Sequence, residues 1–274
     1  MKRAAKSVDS PDGGRKRGKK ALILTVLLLL LIMAAGIGAH EWKQQVTVGE
    51  IRIEGNAIVL KEEILKKARI ELGSPLFQVD LAEVRSHIEE NLFVRSADVK
   101  RDVRGGIAIE VHERKPVAAL VVDGLRYVDA EGIVLPPINS KFIFDIPVVT
   151  GTMKSADCVP GTKVTDARIA EAVAIIEIAK RAGEEVFRNI SEVHIDGEAP
   201  ILYSAEDGIP IIFGSGDAPV KLVKFAGFWK DVVQPQGAHA LKYIDLRFED
   251  QVIVQWKPGF PPGKEKEKSG TPAG

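Results

Sequence analysis

One cysteine stands in 274 residues. Cys158 therefore has no partner within its own chain, and no intramolecular disulfide supports this fold. Aromatic residues are sparse at 6%, which argues against stacking on nucleic-acid bases as the main activity. Net charge is missing too: 38 Lys and Arg face 38 Asp and Glu, so the overall balance demands no polyanionic partner. Catalytic signatures are equally absent. His40, His87, His112, His194 and His239 show no HExxH or paired-ligand spacing. His194-Ile195-Asp196 puts two polar groups on one strand face, which could begin a metal site and equally suits a solvated face. Gly214-Ser215-Gly216 lacks the flanks of a nucleophile elbow. "GSGDAP" precedes a helix without the lysine of a phosphate loop. Glu62-Glu63, Glu89-Glu90 and Glu184-Glu185 read as solvated helix faces. No base, nucleophile and orienting group converge, so no catalytic residue, metal ligand or cofactor is expected.

What the chain does have is one long apolar run. Ala21 to Ala39 contains no charged side chain. As a helix it is about 28 Å long, close to the roughly 30 Å hydrocarbon core of a bilayer. Ala34, Ala35, Gly36 and Gly38 leave an end resembling a signal cleavage site, but the run exceeds the roughly 7–15 apolar residues of a secretion signal. A retained anchor is expected, with Trp42 at the interface just beyond it. Lys2, Arg3, Lys6, Arg15, Lys16, Arg17, Lys19 and Lys20 precede the run, and only Lys43 closely follows it. The positive-inside rule puts residues 1–20 in the cytoplasm and the bulk of the chain across the membrane.

Beyond the anchor the periods change. "VGEIRIEGN" alternates and stops at a Gly-Asn turn. "LKEEILKKARI" (60–70) places Leu60, Ile64, Leu65 and Ala68 on one helical face, and Gly73-Ser74-Pro75 ends it. "DLAEVRSHIEENL" (80–92) is a second helix with Asp80 at its cap and Glu83 three residues on. "VRSADVKRD" and "GIAIEVHE" come next as strands around Arg104-Gly105-Gly106. The order β-α-α-β-β, with two helices covering one face of a small sheet, makes one compact core.

That order, with "IRIEGN" (51–56), "GSPLFQVDL" (73–81), "VRSADVKRD" (94–102) and "IAIEVHERKPVAAL" (107–120), resembles a POTRA domain, and more specifically the FtsQ/DivIB cell-division proteins of bacteria. One departure is visible: Val103-Arg104-Gly105-Gly106 stands where family members often carry Trp-Pro. The rest resembles the family as well. "PVAALVVDGLRYVDAEGIVLPP" (116–137) is a β-meander turning at Asp129–Gly132. "FDIPVVTG" (144–151) also matches the family pattern. "TDARIAEAVAIIEIAKRAG" (165–183) is a helix with Ile169, Val173, Ile176 and the Lys180 stem on one face and Gly183 at its end. "ISEVHID" and "IPIIFG" are strands. "DAPVKLVKFAGFWKDVV" (217–233) is a helix with Leu222, Phe225, Ala226 and Trp229 on one face. "YIDLRFEDQVIVQWKP" (243–258) closes as two strands around Glu249-Asp250.

The expected fold class is therefore α+β: a single transmembrane helix, a POTRA domain, then a mixed, mainly antiparallel β-domain with two helices. The expected division is 1–20 cytoplasmic tail, 21–39 span, 46–115 POTRA, 116–258 β-domain and 259–274 disordered tail. The last strand ends the ordered part, so it is expected to have one neighbour and to offer free backbone groups to an added strand. Val252, Val254 and Trp256 share one face of it and Gln251, Ile253 and Gln255 the other. The first set fits the core face as well as a partner-facing one. A proline at Ile253 is expected to block strand addition by deleting a ladder donor. The family resemblance implies that the coiled-coil pair FtsB–FtsL docks on the last strand and the "DLR" region before it, which nominates Phe248, Asp250, Val252, Val254 and Trp256. It further implies a divisome scaffold at the septum of the inner membrane, linking early and late division proteins, with other divisome membrane proteins as partners and no nucleic acid. The alternatives are a POTRA-bearing transport or outer-membrane assembly component, and a membrane-anchored periplasmic hydrolase.

Overall fold

The structure is a computed structural model describing residues 14–102, 104–138 and 143–259. Most of the expected basic tail, Val103 of the Arg104-Gly105-Gly106 turn, and residues 260–274 lie outside the described residues. The chain divides into two compact units, residues up to 90 with 96–112, and residues 91–95 with those from 113 onward.

The first unit opens with α1 (Gly14–Gln45), which is exposed from Leu24 to Ala39. β1 (Ile51–Glu54), α2 (Lys61–Ala68), α3 (Leu81–Glu89), β2 (Val94–Asp102) and β3 (Gly106–Glu113) then run in the expected β-α-α-β-β order. The sheet order is β1-β3-β2, with β1 parallel to β3 and Ile51 opposite Ile107. Ile64 and Ala68 of α2 and Val84 and Ile88 of α3 are buried, as are Ile107, Ile109 and Val111 of β3. The Asp80 carboxylate caps α3, accepting from the amides of Ala82 (2.9 Å) and Glu83 (3.2 Å). Gly55 shows why the first turn is glycine: at φ +83°, a Cβ there would lie 2.2 Å from the Val111 carbonyl oxygen.

α2 ends earlier than its sequence suggests. Arg69 adopts a left-handed conformation (φ 51°) and stops the helix before Gly73 is reached. Gly73, also at positive φ, serves the adjoining loop instead.

The second unit is built on β4 (Pro116–Val121), β5 (Leu125–Asp129), β6 (Val134–Leu135), β7 (Val148–Thr150), α4 (Ala167–Ala182), α5 (Glu184–Arg188), β8 (Ile190–His194), β9 (Ile201–Ser204), β10 (Pro210–Ile212), α6 (Ala218–Phe228), β11 (Leu241–Asp245) and β12 (Ile253–Trp256). All nine strands form one sheet in the order β12-β11-β10-β9-β8-β7-β4-β5-β6. Five neighbouring pairs are antiparallel; β4–β7, β7–β8 and β10–β11 are parallel. The expected Asp129–Gly132 turn is held by the Asp129 carboxylate, which accepts from the amides of Glu131 (2.9 Å) and Ile133 (2.8 Å) and from Arg114 (2.7 Å).

Three details differ from the sequence reading. α5 is a helix beyond the two expected, and β9 is an additional strand. Lys180 does not share the buried face of α4: it is exposed, with its ammonium 5.8 Å from the Phe187 ring centroid. The buried stripe is Ile169, Ala172, Val173, Ile176 and Ala179, with Ile175 widening it. This width reflects a helix packed under a large sheet rather than along a narrow seam.

Candidate functional site

The two borders of the large sheet are finished differently. At β6, residues 161–164 close the border: Val134 N–H donates to Thr162 O (2.9 Å), Gly161 N–H to Val134 O (2.8 Å), and Val164 N–H to Gly132 O (2.9 Å). At the other border β12 pairs with β11 alone, and no strand lies beyond it among the described residues.

Backbone alternation tells which groups of β12 face outward. Leu246 N–H donates to Ile212 O of the neighbouring β10 (2.9 Å), so the preceding Asp245 turns its amide and carbonyl toward β12, where it pairs with Ile253. Lys257 N–H donates back to Ala240 O (2.8 Å). Counting back by twos, Gln255 and Ile253 also face β11. The amides and carbonyls of Val254 and Trp256 therefore point away from the sheet. Ile253 is thus the wrong place for a proline block, because its N–H serves the protein's own ladder; the outward donor is that of Val254.

The side chains take a different route. Val252, Val254 and Trp256 are half-buried and pack on the core of the unit. They are the inner face of the edge strand, so this border offers mainly backbone. Phe248 and Asp250 lie in the β11–β12 loop, where Phe248 is 43% exposed and Asp250 is exposed. The structure thus brings the five sequence-predicted residues to one border but splits them into a core-packed trio and an exposed loop pair.

The "DLR" segment, Asp245–Arg247, and two lysines of α6 hold the backbone in and beside this loop; the lysines were not singled out from sequence. The Asp245 carboxylate is buried and accepts from Arg247 at its amide (3.0 Å), Nε (3.0 Å) and Nη2 (2.7 Å). Those hydrogen bonds and the guanidinium charge hold its pKa below the usual carboxylate range, against the opposing effect of burial. The Arg247 stem crosses Gly214, where a Cβ would lie 2.7 Å from Arg247 Cγ. The ammonium of buried Lys221 donates to Phe213 O (2.7 Å) and Ser215 O (2.6 Å), and burial lowers its pKa. Lys224, one turn further along α6, donates to Phe248 O (2.9 Å) and to Glu249 O. Lys221 and Lys224 stand three apart, which marks one helix face; nothing in one sequence marks that face as buried over carbonyls.

The Asp245 pairing has a pH signature. A carboxylate whose pKa is lowered by folding adds stability above its unfolded pKa of about 3.9, and that contribution disappears as pH falls through the lower folded value. The melting-temperature gap between the parent and Asp245→Asn is expected to be widest at neutral pH and to narrow in strongly acidic buffer. A gap independent of pH, measured by thermal melts across that range, would assign the effect to packing alone.

The histidines carry no assembled catalytic centre among the described residues. His194 lies between Thr150 Oγ1 (2.8 Å) and Asp196 (3.5 Å) on the half-exposed face of β8. Asp98, Glu110 and His112 bring ligating atoms within 4.8 Å of one another on the β1-β3-β2 sheet. Arg52 and Lys100 line a shallow depression together with Asp98 and Glu110, so cationic side chains stand near these carboxylates.

Among the described residues, one helix long and apolar enough to cross a membrane, a β-α-α-β-β unit and a mixed sheet with one open border define a POTRA-type protein with an appended sheet domain. Residues 46–114 match the family model described as "POTRA domain, FtsQ-type", and residues 119–247 match "Cell division protein FtsQ/DivIB, C-terminal". Curated proteins named "Cell division protein FtsQ" are similar over most of their length. The one from Syntrophotalea carbinolica is 30% identical over 220 residues, 79% of this chain and 76% of that protein. The one from Geobacter sp. is 29% identical over 232 residues, 81% of this chain and 84% of that protein. The one from Geotalea daltonii is 29% identical over 232 residues, 83% of each. The chain belongs to the FtsQ/DivIB family of membrane-anchored cell-division proteins, scaffolds rather than enzymes. β12 lies beyond the segment matched by the C-terminal family model, so its open border is described by the structure alone.

Proposed function

We propose that this protein is a bitopic divisome scaffold that captures its partners by accepting a strand on β12. The N-terminal tail is cytoplasmic, α1 remains in the inner membrane, and both folded units work on the far side, at the division septum. The bound partner is the FtsB–FtsL coiled-coil pair, and its capture links early and late division proteins. The observation that carries this reading is the outer side of β12, unpaired among the described residues, with two residues' worth of backbone donors and acceptors pointing outward. An added strand gains main-chain hydrogen bonds there, while Phe248 and Asp250 supply recognition at the adjoining loop. The closed β6 border is consistent with a single docking side. Confinement to one bilayer raises the partners' effective concentration and lets a short β-contact suffice.

The test is co-purification of the coiled-coil pair from membranes. Asp250→Lys and Phe248→Ala are both expected to lower recovery by about tenfold, equivalent to roughly 1.4 kcal/mol, with thermal melts unchanged because both side chains are exposed. Trp256→Ala is less informative, since Trp256 also packs on the core. Full recovery with both loop variants would remove the loop from the site.

A further inference from the structure

We propose that the loop between α2 and α3 docks on the phospholipid headgroup layer where α1 leaves the membrane. The inference rests on α1 being the membrane anchor and adds a second membrane contact to it. α1 has 32 residues. Its length is about 48 Å, against roughly 30 Å of hydrocarbon. The uncharged run ends at Ala39, so Trp42 stands ~4–5 Å beyond it and Gln45 ~9 Å beyond it along the axis. The headgroup layer on one side is roughly 5–8 Å deep.

The chain does not swing free after Gln45. Leu76 N–H donates to Val46 O (2.8 Å), Gly73 N–H to Val48 O (2.9 Å) and Val48 N–H to Ser74 O (2.9 Å), and Thr47 forms an antiparallel bridge with Pro75. The loop is thereby stitched to the first residues past the anchor. Phe77 extends the attachment, its ring centroid 6.1 Å from that of Trp42. The Lys43 ammonium is 5.8 Å and the Arg101 guanidinium 5.7 Å from the Phe77 centroid. Arg101 is fixed by the carbonyls of Leu76 (3.1 Å) and Val79 (2.8 Å).

Phe77, beside Trp42, is thereby held at the height of the headgroups, and Leu72 precedes Gly73 in the same loop. Leu72 is 67% exposed, Trp42 61% and Phe77 39%. Beside water alone they would form a bare apolar patch. At a bilayer surface, aromatic rings settle among the headgroups and flanking cations meet phosphate oxygens. Glu41 and Glu71 are near in sequence and dilute the positive charge. Insertion of Leu72 and Phe77 is therefore the dominant attraction, and it operates on neutral lipid too. The POTRA unit is held to the membrane at two points, which restricts how it can turn about the end of α1.

Full-length protein in lipid nanodiscs, spin-labelled at Leu72→Cys, tests this; native Cys158 is buried and escapes labelling. Labels at Leu30→Cys in α1 and Glu110→Cys on the exposed POTRA sheet face give lipid and water references. Power saturation with oxygen and with a water-soluble nickel chelate is expected to place the Leu72 label between the references, with an oxygen preference several-fold above that at Glu110. It is expected to do so in phosphatidylcholine discs and in discs containing anionic lipid. A Leu72 label matching Glu110 while Leu30 reads as lipid overturns the docking and leaves the anchor intact. An immobile Leu72 label screened from both relaxants indicates a protein occupant and also overturns it. A Leu30 label open to the nickel chelate overturns the anchor and the inference with it.

Discussion

Val254→Pro is expected to abolish capture of the coiled-coil pair while the protein stays folded, and Ile253→Pro is expected to damage the fold itself. The two positions are adjacent, yet their backbones face opposite ways. The Val254 amide points out of the sheet, so proline there removes no internal bond and puts its ring where an incoming strand must lie. Proline is tolerated on edge strands in this orientation. It also keeps the preceding residue extended, which Ile253 already is. The Ile253 amide faces Asp245 across the β11–β12 ladder. Its loss leaves a carbonyl partner unsatisfied at about 1–3 kcal/mol and detaches the edge strand. Val254→Ala controls for the side chain, since it keeps the amide while trimming the contact with the core. Recovery is expected to fall more than tenfold with Val254→Pro, about 1.4 kcal/mol or more, and to stay near the parent level with Val254→Ala. Melting temperature is expected to drop clearly with Ile253→Pro only. If Val254→Pro captured partners as well as the parent, docking through side chains would replace strand addition.

The same pair of residues shows how far the sequence could be read. Alternation along "QVIVQW" assigned Val252, Val254 and Trp256 to one face, and they are the core-packed set. Side-chain period alone does not say which amides are engaged, because that depends on where β11 sits and on the bulge between Leu241 and Tyr243. The choice between residues 253 and 254 therefore needed the structure. Local signals with a short reach were legible: the Asp80 cap, the Asp129–Gly132 turn and the β-α-α-β-β order. Signals that required long-range partners were not. α5 occupies five residues after a glycine and is too short for a helical period to show. β9, with only Ile201 to Ser204, lies in a stretch rich in turn residues and gains its identity from β8 and β10 on either side. Arg69 is an ordinary helix former that stops α2 in a left-handed conformation, where Gly73 was the more obvious terminator. At the candidate site, the exposed pair Phe248 and Asp250 could be nominated from the resemblance. The Asp245–Arg247 clamp is local, two residues apart within "DLR", whereas the Lys224 contact depends on α6 lying beside the loop, which no local pattern states.

Trp229→Ala is expected to be among the most destabilising single changes in the second unit, because Trp229 is buried at the end of α6. The sequence period carries one helix from 217 to 233 with Leu222, Phe225, Ala226 and Trp229 on a common face. In the structure α6 ends at Phe228, and the next turn, Trp229–Val233, is a wider π-type turn. A single such turn inserts extra backbone and rotates the side chains beyond it about the helix axis. Trp229 and Val233 are both buried while Lys230 and Asp231 stay at the surface. Trp229 is 2% exposed, and its ring lies 5.4 Å from that of Phe225 at an interplanar angle of 52°. Removing it loses about 3–5 kcal/mol from burial and cavity formation. That is a large share of the roughly 5–15 kcal/mol that stabilises a typical domain. For a unit of this size the melting temperature is expected to fall by about 6–20 °C. Amide hydrogen exchange should rise at Ile211 and Ile244, whose side chains belong to the same core. Trp229→Phe refills most of the space and is expected to recover most of the loss. A fall of only a few degrees with alanine, or an equal fall with phenylalanine, would mean that the wide turn relaxes back to a regular helix and brings another side chain into the vacated site.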